Sequence, residues 1–307
     1  MNFNEPAMVD VLGVGASSID FVYGLPAAPV PDSPTAKLRI ARHVVSPGGQ
    51  TATTLCTCAS LGLRTQYVGT IGNDANGERL QEALRARGVD VSSALVRDAP
   101  SPYAVILIDE RHGERMVLWD RDPSLVLNAT EVTDDMLRRA RVVHVDDVDP
   151  ETAVNVATRA RAAGAVVTSD IERLTPRTRD LIAAVTVAIF DEHVVEALLP
   201  GETLAAALRS LRVRDDQMVC ATQGRRGATL LAGNQVYTAP GYAVTTVDTT
   251  GAGDVFRGGF IAALLRGDGP QDILRQANAA AAVSCTKLGA IGGVPTQAEI
   301  DALLQRG

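Results

Sequence analysis

The sequence Asp-Thr-Thr-Gly-Ala-Gly-Asp at residues 248–254 runs directly into an apolar stretch that continues to Leu265. A glycine-rich turn that opens a helix leaves backbone N–H groups without intrahelical partners, and the helix dipole adds partial positive charge at the same point. Such a turn binds anions, including phosphoryl groups. Asp254 falls in the first turn, where a carboxylate can accept a proton beside the bound anion. The stretch therefore predicts a site for phosphoryl transfer to a hydroxyl group.

An isolated Gly-Ala-Gly sequence is also typical of a plain strand-to-helix turn, in which an acidic residue only complements the helix dipole. Two features favour the functional interpretation here. Seven residues occur in order, and Gly258 and Gly259 on the following predicted helix permit close backbone packing. We therefore expect an anion hole with an adjacent general base. The predicted catalytic residues are Gly251, Ala252, Gly253 and, as the base, Asp254.

The composition limits the possible partners of the chain. It has 307 residues, of which 46% are hydrophobic, and a net charge of −7. This length suits one large α/β domain with a small appendage, because single cores stop growing near about 250–300 residues. The negative charge argues against nucleic-acid and anionic-membrane partners. The four cysteines lack zinc spacing, and we see no signal peptide or membrane-length apolar run, so we expect a cytoplasmic protein with reduced thiols.

Short β-rich apolar runs alternate with helical patterns along most of the chain. This alternation predicts an α/β fold with a mostly parallel central sheet that is covered by helices on both faces. The predicted strands include residues 10–14, 65–68, 142–145, 165–169, 185–189 and 218–222. The predicted helices lie at 50–61, 77–87, 150–163, 176–184, 204–211, 252–266, 270–286 and 296–305.

Two segments, at about residues 20–46 and 101–121, interrupt this alternation and look like hairpin-forming strands. The alternating pattern from Tyr103 to Ile108 indicates a half-buried sheet. We predict that the two segments together form a small β-sheet lid over the active site. A closing lid would exclude water, which competes with the hydroxyl as a phosphoryl acceptor. A β-flap with a purely structural role is the alternative.

These residues resemble the ribokinase-like (PfkB) carbohydrate kinase family. Its carboxy-terminal signature is Asp-Thr-x-Gly-Ala-Gly-Asp, which residues 248–254 match without a gap. Pro-Gly-Gly-Gln-Thr-Ala-Thr at 47–53 and Val-Gly-Thr-Ile-Gly-Asn-Asp at 68–74 are similar to its amino-terminal signature. The resemblance covers nearly the whole chain. It implies one ribokinase-like three-layer domain over residues 1–307, ATP and Mg²⁺ as cofactors, and a homodimer formed through the lid, as in several members.

The resemblance also assigns a sugar site. Asp20, after the first predicted strand, matches the family's sugar-contacting acid, and carboxylates suit sugars because each oxygen accepts hydroxyl protons. Thr53 stands where the family usually has asparagine, which implies an altered sugar contact. Lys37 stands where a sulfofructose kinase-like branch has a lysine. The predicted substrate-binding residues are Asp20, Gly48, Gly49, Thr53, Asp146 and Lys37.

The nucleotide site is expected in the carboxy-terminal half. The loop Thr-Gln-Gly-Arg-Arg-Gly at 222–227 resembles the family's phosphate-and-ribose loop, and either Arg225 or Arg226 could contact phosphate. The family's Asn-x-x-Glu motif, which helps to hold Mg²⁺ through water, is degenerate here, with Phe-Asp-Glu-His at 190–193 in its place. Either Asp191 or Glu192 could substitute. The predicted nucleotide-binding residues are Thr222, Gly224, Gly227, Asn278, Asp191 and Glu192.

Some members of the family bind potassium beside the anion hole, and this chain has matching positions. Carbonyl-rich loops next to an anion hole can hold such a cation. The resemblance therefore extends to a monovalent-cation site for K⁺. Its predicted residues are Asp248, Thr250, Ser284, Leu288, Gly289 and Gly293.

The resemblance predicts an ATP-dependent sugar kinase that acts on a small ketohexose- or ribose-like sugar. Within the family, residues 247–256, residues 285–287 and Thr53 are most similar to a ketohexokinase-like and sulfofructose kinase-like branch. Three alternatives stay open at this point. They are a nucleoside kinase, a sulfosugar kinase, and a non-catalytic sugar-sensing protein on the same fold.

Overall fold

The computed structural model describes residues 8–34, 36–111 and 115–306. Its strands are β1 Val9–Val14, β2 Ser18–Leu25, β3 Arg42–Gly48, β4 Thr65–Val68, β5 Thr70–Gly72, β6 Val89–Asp90, β7 Leu95–Arg97, β8 Tyr103–Asp109, β9 Arg115–Asp120, β10 Ala140–Asp146, β11 Val166–Asp170, β12 Val187–Asp191, β13 Met218–Thr222, β14 Ala228–Ala232 and β15 Gln235–Ala239. Its α-helices are α1 Gln50–Ser60, α2 Ala75–Ala86, α3 Asp134–Arg138, α4 Pro150–Ala162, α5 Thr178–Ala184, α6 Glu192–Leu198, α7 Leu204–Leu211, α8 Ala252–Arg266, α9 Pro270–Ser284, α10 Ala290–Gly293 and α11 Gln297–Leu304.

A nine-stranded sheet forms the centre of the fold, in the order β15-β14-β13-β12-β11-β10-β1-β4-β6. Every neighbouring pair from β13 to β6 is parallel, whereas β14 and β15 add an antiparallel edge. Helices cover both faces, which confirms the predicted α/β fold class. The sequence did not predict β14 and β15, which form a hairpin around a turn at Gly233 and Asn234.

The core lies on both faces of this sheet, because successive residues of a strand point to opposite sides. Val11 of β1 packs in a cluster with Leu55 of α1, and the next residue, Leu12, packs with Val156 of α4. All four side chains are fully buried. Burial on both faces explains why the central strands are continuously apolar. Among the helices that the structure describes, none is long and apolar enough to cross a membrane.

Glycines bring α8 close to its neighbours. A Cβ atom on Gly258 would lie 2.5 Å from the Cβ of Thr57 on α1, and one on Gly259 would lie 2.9 Å from the Cβ of Ala280 on α9. Any larger residue would force the helices apart. The close packing positions the start of α8, which carries the predicted anion hole and base.

A separate four-stranded sheet, in the order β3-β2-β8-β9, is built from the two segments that interrupt the α/β alternation. The β2–β3 and β8–β9 pairs are antiparallel, and β2–β8 is parallel. We call this sheet the lid. Strand β9 lies at its edge, and residues 116–120 of this strand are exposed.

Asp10 forms ion pairs whose contribution to the stability of the fold depends on pH. Its carboxylate accepts hydrogen bonds from the Arg64 guanidinium and backbone N–H and from the Arg141 guanidinium. The hydrogen bonds from the Arg64 side chain lead in lowering the pKa of Asp10 to about 2. A carboxylate with a lowered pKa stabilises the fold above its unfolded pKa, near 4, and this contribution is lost as the pH falls toward 2.

Replacing Asp10 by Asn is therefore expected to lower the free energy of unfolding at neutral pH by about 1 kcal/mol, after allowance for solvent screening of the exposed arginines. The difference from wild type should shrink between about pH 4 and pH 2.5. Urea denaturation across this range measures it. Asp215→Asn, which removes a fully exposed carboxylate, serves as the control and should change stability by less than about 0.5 kcal/mol. A difference that stays constant down to about pH 2.5 would contradict the assignment.

Candidate active site

A cavity of about 1040 Å³ opens between the carboxyl ends of the parallel strands and the lid. This is the edge at which open α/β sheets bind their ligands. One end of the cavity is lined by lid strands β2, β8 and β9 and by the start of α1. The other end is lined by the loops after β12 and β13, by residues 241–246 and by α9. Residues 249–254 lie between the two ends, so the predicted transfer site is central.

The turn before α8 has the geometry of an anion hole. Gly251 caps the helix with φ 76°, a left-handed conformation that favours glycine. Val255 is the first residue whose N–H bonds back into the helix, to the Gly251 carbonyl. The N–H of Ala252 donates to the Thr249 carbonyl at 3.2 Å. The amides of the first turn that remain, those of Gly253 and Asp254, are thus better placed to bind an anion than that of Ala252.

Asp254 lies beside this turn on the cavity wall and is only 7% exposed. Burial, followed by the nearby Glu172 carboxylate, raises the pKa of Asp254 well above its usual range. The Arg257 guanidinium acts in the opposite direction. Thr54 of α1 donates its hydroxyl to the Asp254 carbonyl at 3.1 Å and so fixes the backbone. A buried carboxylate with a raised pKa has the properties of a general base.

Arg257 and Glu172 belong to the site, but the sequence did not predict them. Arg257 lies one helical turn after Asp254, is 1% exposed, and pairs with the buried Asp170 at the end of β11 at 2.5 Å. Glu172 follows two residues after Asp170, and both Glu172 and Arg257 line the cavity. One signal was available for Arg257. A single charge stands inside the otherwise apolar and small-residue run 255–265.

The carboxylates of Asp170, Glu172 and Asp254 approach one another, with oxygen atoms within 4.8 Å. Such a cluster can bind a divalent cation in principle. Here the Arg257 guanidinium already contacts it through Asp170. A second cation would therefore compete with a fixed positive charge, and we do not assign a metal ion to this cluster.

The sugar end of the cavity contains Asp20, which is 6% exposed and accepts the Ser18 hydroxyl at 3.1 Å. A Cβ atom on Gly48 would lie 2.8 Å from the Asp20 carboxylate, so glycine there makes room for the acid. Gly49 lines the cavity at the N-terminus of α1 with φ 101°. The next residue, Gln50, was not predicted. Its buried Nε2 faces the cavity region without a hydrogen-bond partner in the described part of the chain.

Four predicted sugar contacts do not line the cavity, and Gly48, which lies behind Asp20, is the first of them. Asp146 is 2% exposed, and its oxygens accept hydrogen bonds from the Ala16 and Val148 N–H groups and from the Thr51 hydroxyl. The Asp146 carboxylate therefore ties loops together and has no surface for a substrate. Thr53 is fully buried behind Gly251. Lys37 is exposed in the connection between β2 and β3 and is not on the cavity wall.

The nucleotide end brings most of its predicted residues together. Thr222, Gly224, Arg225, Gly227 and Asn278 line the cavity. The side-chain amide of Asn278 donates to the carbonyls of Ala239 and Pro240 and so holds the segment after β15 in place.

The structure separates the two acids that the sequence left open. Asp191 is on the cavity wall at the end of β12. Glu192 instead pairs with Arg226, and neither residue of that pair lines the cavity. Asp191 is therefore the better placed of the two to face a nucleotide.

Comparisons with known proteins agree with this geometry. The sequence profile described as "pfkB family carbohydrate kinase" matches residues 10–297. The chain belongs to this family. An ATP-dependent ribose-1-phosphate kinase from Halopiger xanaduensis is 30% identical over 299 residues, which cover 97% of this chain and 98% of that protein. A nucleoside kinase from Methanothermobacter thermautotrophicus is 27% identical over 296 residues, 94% of each chain. The crystal structure of a ribokinase from Thermotoga maritima has a TM-score of 0.82 and 26% identity, and covers 97% of this chain and 99% of its own.

As a pfkB family member, the chain is a phosphotransferase with an alcohol group as acceptor. Its general activity, without regard to the specific substrate, is that of an ATP-dependent sugar or nucleoside kinase. The central position of residues 249–254 in the cavity is consistent with this chemistry.

The loops predicted to hold K⁺ in this pfkB family chain are close together. The carboxylate of Asp248 accepts hydrogen bonds from the N–H groups of Thr250 and Gly289. The carbonyls of Gly289 and Ser284 already accept the N–H groups of Gly293 and Lys287. Leu288 is 42% exposed. The segments meet, but two of the predicted carbonyl ligands have partners within the protein.

Proposed function

We propose that this pfkB family chain transfers the γ-phosphoryl group of ATP to a hydroxyl of a small, neutral sugar. The observation that carries the proposal is the placement of Asp254 beside the anion-binding turn, between a cavity end that contains Asp20 and one built from the glycine-rich loop after β13. ATP would lie along the latter end. The sugar would lie under the lid, with its hydroxyls against the Asp20 carboxylate.

The proposed mechanism uses one base and one anion hole. The Asp254 carboxylate accepts the proton of the attacking hydroxyl while the new O–P bond forms and the bond to the ADP leaving group breaks. Charge on the transferring group is stabilised by the first-turn amides at Gly253 and Asp254. Closure of the lid keeps water away from the phosphoryl group.

Mg²⁺ would be held on the nucleotide side by the carboxylate of Asp191, which faces the cavity at the end of β12 and is 40% exposed. When bound, the ion neutralises part of the charge on the phosphates of ATP.

The K⁺ site around Asp248 also remains a proposal. A comparison of turnover in potassium, sodium and choline chloride at equal ionic strength tests it.

A neutral sugar is favoured over an anionic one by the position of Lys37. This lysine would face a sulfonate or phosphate if the substrate carried one, yet it lies off the cavity wall.

One observation favours a nucleoside as the second candidate. Trp119 is paired across strands with the cavity-lining Ala104, so both point to the cavity side of the lid, where an indole can stack on a base.

Coupled ADP release with a panel of acceptors tests the function. The panel contains fructose, ribose, ribose 1-phosphate, a sulfofructose and adenosine, each with Mg·ATP. The highest kcat/KM is expected with a neutral sugar. Preference for adenosine would support the second candidate, and preference for a sulfonated or phosphorylated sugar would overturn the assignment of a neutral substrate. Absence of acceptor-dependent ADP release, together with sugar binding in calorimetry, would support a sensing protein instead.

We also propose that two copies of the chain associate through the lid. Met116, Val117, Leu118 and Trp119 are consecutive on the edge strand β9, and each is between 47% and 69% exposed. Exposed apolar edge strands are typical of pairing surfaces.

The reduced thiols, all free among the described residues, fit the cytosolic compartment that the composition predicts.

Leu118→Lys is expected to convert a dimer into a monomer, because it places a charge in the apolar contact. Multi-angle light scattering at a concentration where the wild type is dimeric measures the change. Val96→Lys on β7 provides a matched control, since Val96 is equally exposed at 53% but lies outside the lid. A monomeric wild type, or a Leu118→Lys variant that stays dimeric, would overturn the proposed interface.

A further inference from the structure

Arg257 is the largest fully buried side chain among the residues that the structure describes. It lies in α8, whose other residues from Val255 to Ala263 are apolar or glycine. Burial of a guanidinium is costly unless the charge is paired. Replacing a buried ion pair by apolar residues of similar volume is often neutral or stabilising, so stability alone is a weak reason for an arginine at this position.

The pairing of Arg257 leaves part of its hydrogen-bonding capacity unused. Its Nη2 lies 2.5 Å from Oδ1 of Asp170, which is also fully buried. Within the described chain, Nε and Nη2 make no hydrogen bond of acceptable geometry. The ion pair therefore holds the guanidinium in place and does not saturate its donors.

The remaining nitrogen, Nη1, lies next to Gly253 of the anion hole. A Cβ atom on Gly253 would lie 2.7 Å from Nη1, so the guanidinium packs directly against the backbone of a residue whose amide contributes to the hole. Arg257 also lines the cavity. A positive charge therefore lies on the cavity wall beside the position proposed for the transferring phosphoryl group.

Acidic side chains surround the anion hole, so a nearby positive charge is needed there. The Glu172 carboxylate also lies near the hole, with Oε1 3.7 Å from the same Gly253 Cβ position. Together with Asp170 and Asp254 it makes three carboxylates around one guanidinium. Without Arg257 this acidic surround would repel a phosphoryl group. Arg257 offsets part of this repulsion and supplies a fixed positive charge close to the developing negative charge.

We propose that Arg257 is a catalytic residue that donates from its guanidinium to the phosphoryl group during transfer, and that Asp170 is its positioning residue. The proposal rests on the proposed function, with Asp254 as base. It adds a fixed cation to an anion hole otherwise made of backbone amides. Such an interaction is strongest in the transition state, so its removal should lower kcat more than it changes KM.

The decisive variant is the double substitution Asp170→Asn with Arg257→Met. It removes both buried charges together, so no carboxylate is left unpaired in the core. The variant is expected to fold with a circular dichroism spectrum like that of the wild type. Its kcat should fall by about 10²-fold while the KM values for sugar and ATP change little.

The same chemical change at the far end of α8 is the control. Arg266 pairs with Asp268 on the surface, and Arg266→Met with Asp268→Asn should leave kcat unchanged. Retention of wild-type kcat in the Asp170/Arg257 double variant would overturn the proposal and assign the pair a structural role. If that variant does not fold, Asp170→Asn with Arg257→Ala decides, because alanine leaves space that added guanidinium can occupy. A lower kcat at unchanged KM with rescue by guanidinium supports the proposal, and an unchanged kcat overturns it.

Failure of this inference and failure of the proposed function are distinguishable. A wild-type chain that phosphorylates a sugar, with a double variant as active as the wild type, rejects only the role of Arg257. A wild-type chain without acceptor-dependent ADP release rejects the proposed function itself.

Discussion

Asp254→Asn is expected to reduce kcat by about 10²–10⁴-fold while leaving the binding of ATP and sugar nearly unchanged, because this is the contribution typical of a positioned general base. Asparagine keeps the size of the side chain and its contact with the cavity. It cannot accept the proton of the attacking hydroxyl. Steady-state ADP release measures kcat, and calorimetry with a non-hydrolysable ATP analogue measures binding.

The pH dependence provides a second readout of the same assignment. Burial and the Glu172 carboxylate raise the pKa of Asp254 well above its usual range. A base must be ionised to act, so kcat/KM of the wild type should fall as the pH drops through this raised pKa. The Asp254→Asn variant should lack that acidic limb.

Asp272→Asn is the matched control for this variant, since Asp272 is a first-turn aspartate of the neighbouring helix α9 with 68% side-chain exposure. It should have wild-type kcat and the wild-type pH profile. An Asp254→Asn enzyme with turnover near that of the wild type would exclude Asp254 as the base, whatever its pH profile.

Local sequence was sufficient where function depends on local backbone geometry. The turn at residues 251–253 and the base after it are defined by four consecutive residues, since a positive φ at Gly251 and a helix start determine where the amides point. The family resemblance singled out Asp20 and Gly49, and both line the cavity. Asp20 lies within strand β2 and Gly49 at the start of α1. Six parallel strands of the central sheet, β1, β4 and β10 to β13, also followed from the alternation of strand and helix patterns, whereas β6, β14 and β15 did not.

Long-range contacts could not be predicted from the sequence. Asp146 lies at the end of a central strand, where acids of active sites are often found. The fold brings the Ala16 and Val148 amides and the Thr51 hydroxyl to its carboxylate. The hydrogen-bonding capacity of this carboxylate is therefore used within the protein. Arg257 shows the converse. Its role depends on Asp170, which is distant in sequence but adjacent in space.

Helix starts show the same limit at smaller scale. The helix predicted over residues 150–163 does begin at Pro150, directly after Asp149. The Asp149 carboxylate makes no cap, however, because it pairs with Arg121. The helix predicted from Pro176 begins at Thr178. The branch of the family suggested by Thr53 and residues 285–287 stays a prediction, since Thr53 does not reach the cavity.

Gly251→Ala is expected to abolish most activity, with kcat reduced by at least about 10³-fold. Two effects combine. Alanine at φ 76° costs about 1–2 kcal/mol of backbone strain, and its Cβ would lie 2.7 Å from the Cβ and 2.9 Å from the Cα of Ala290. Because the second contact is with backbone, the turn must shift. The shift moves the amides of Gly253 and Asp254, and loss of one such donor costs about 10²–10³-fold in kcat.

Gly267→Ala separates the two effects. Gly267 caps the other end of the same helix at φ 83°, and a Cβ atom there has no heavy atom within 4 Å among the described residues. In urea denaturation, Gly267→Ala should lose about 1–2 kcal/mol from backbone strain alone, and Gly251→Ala should lose more because its Cβ also contacts Ala290. Only Gly251→Ala should also lose activity. Equal kcat in the two variants would show that the position of the turn against Ala290 does not control transfer, and that the amides of α8 are not the anion hole.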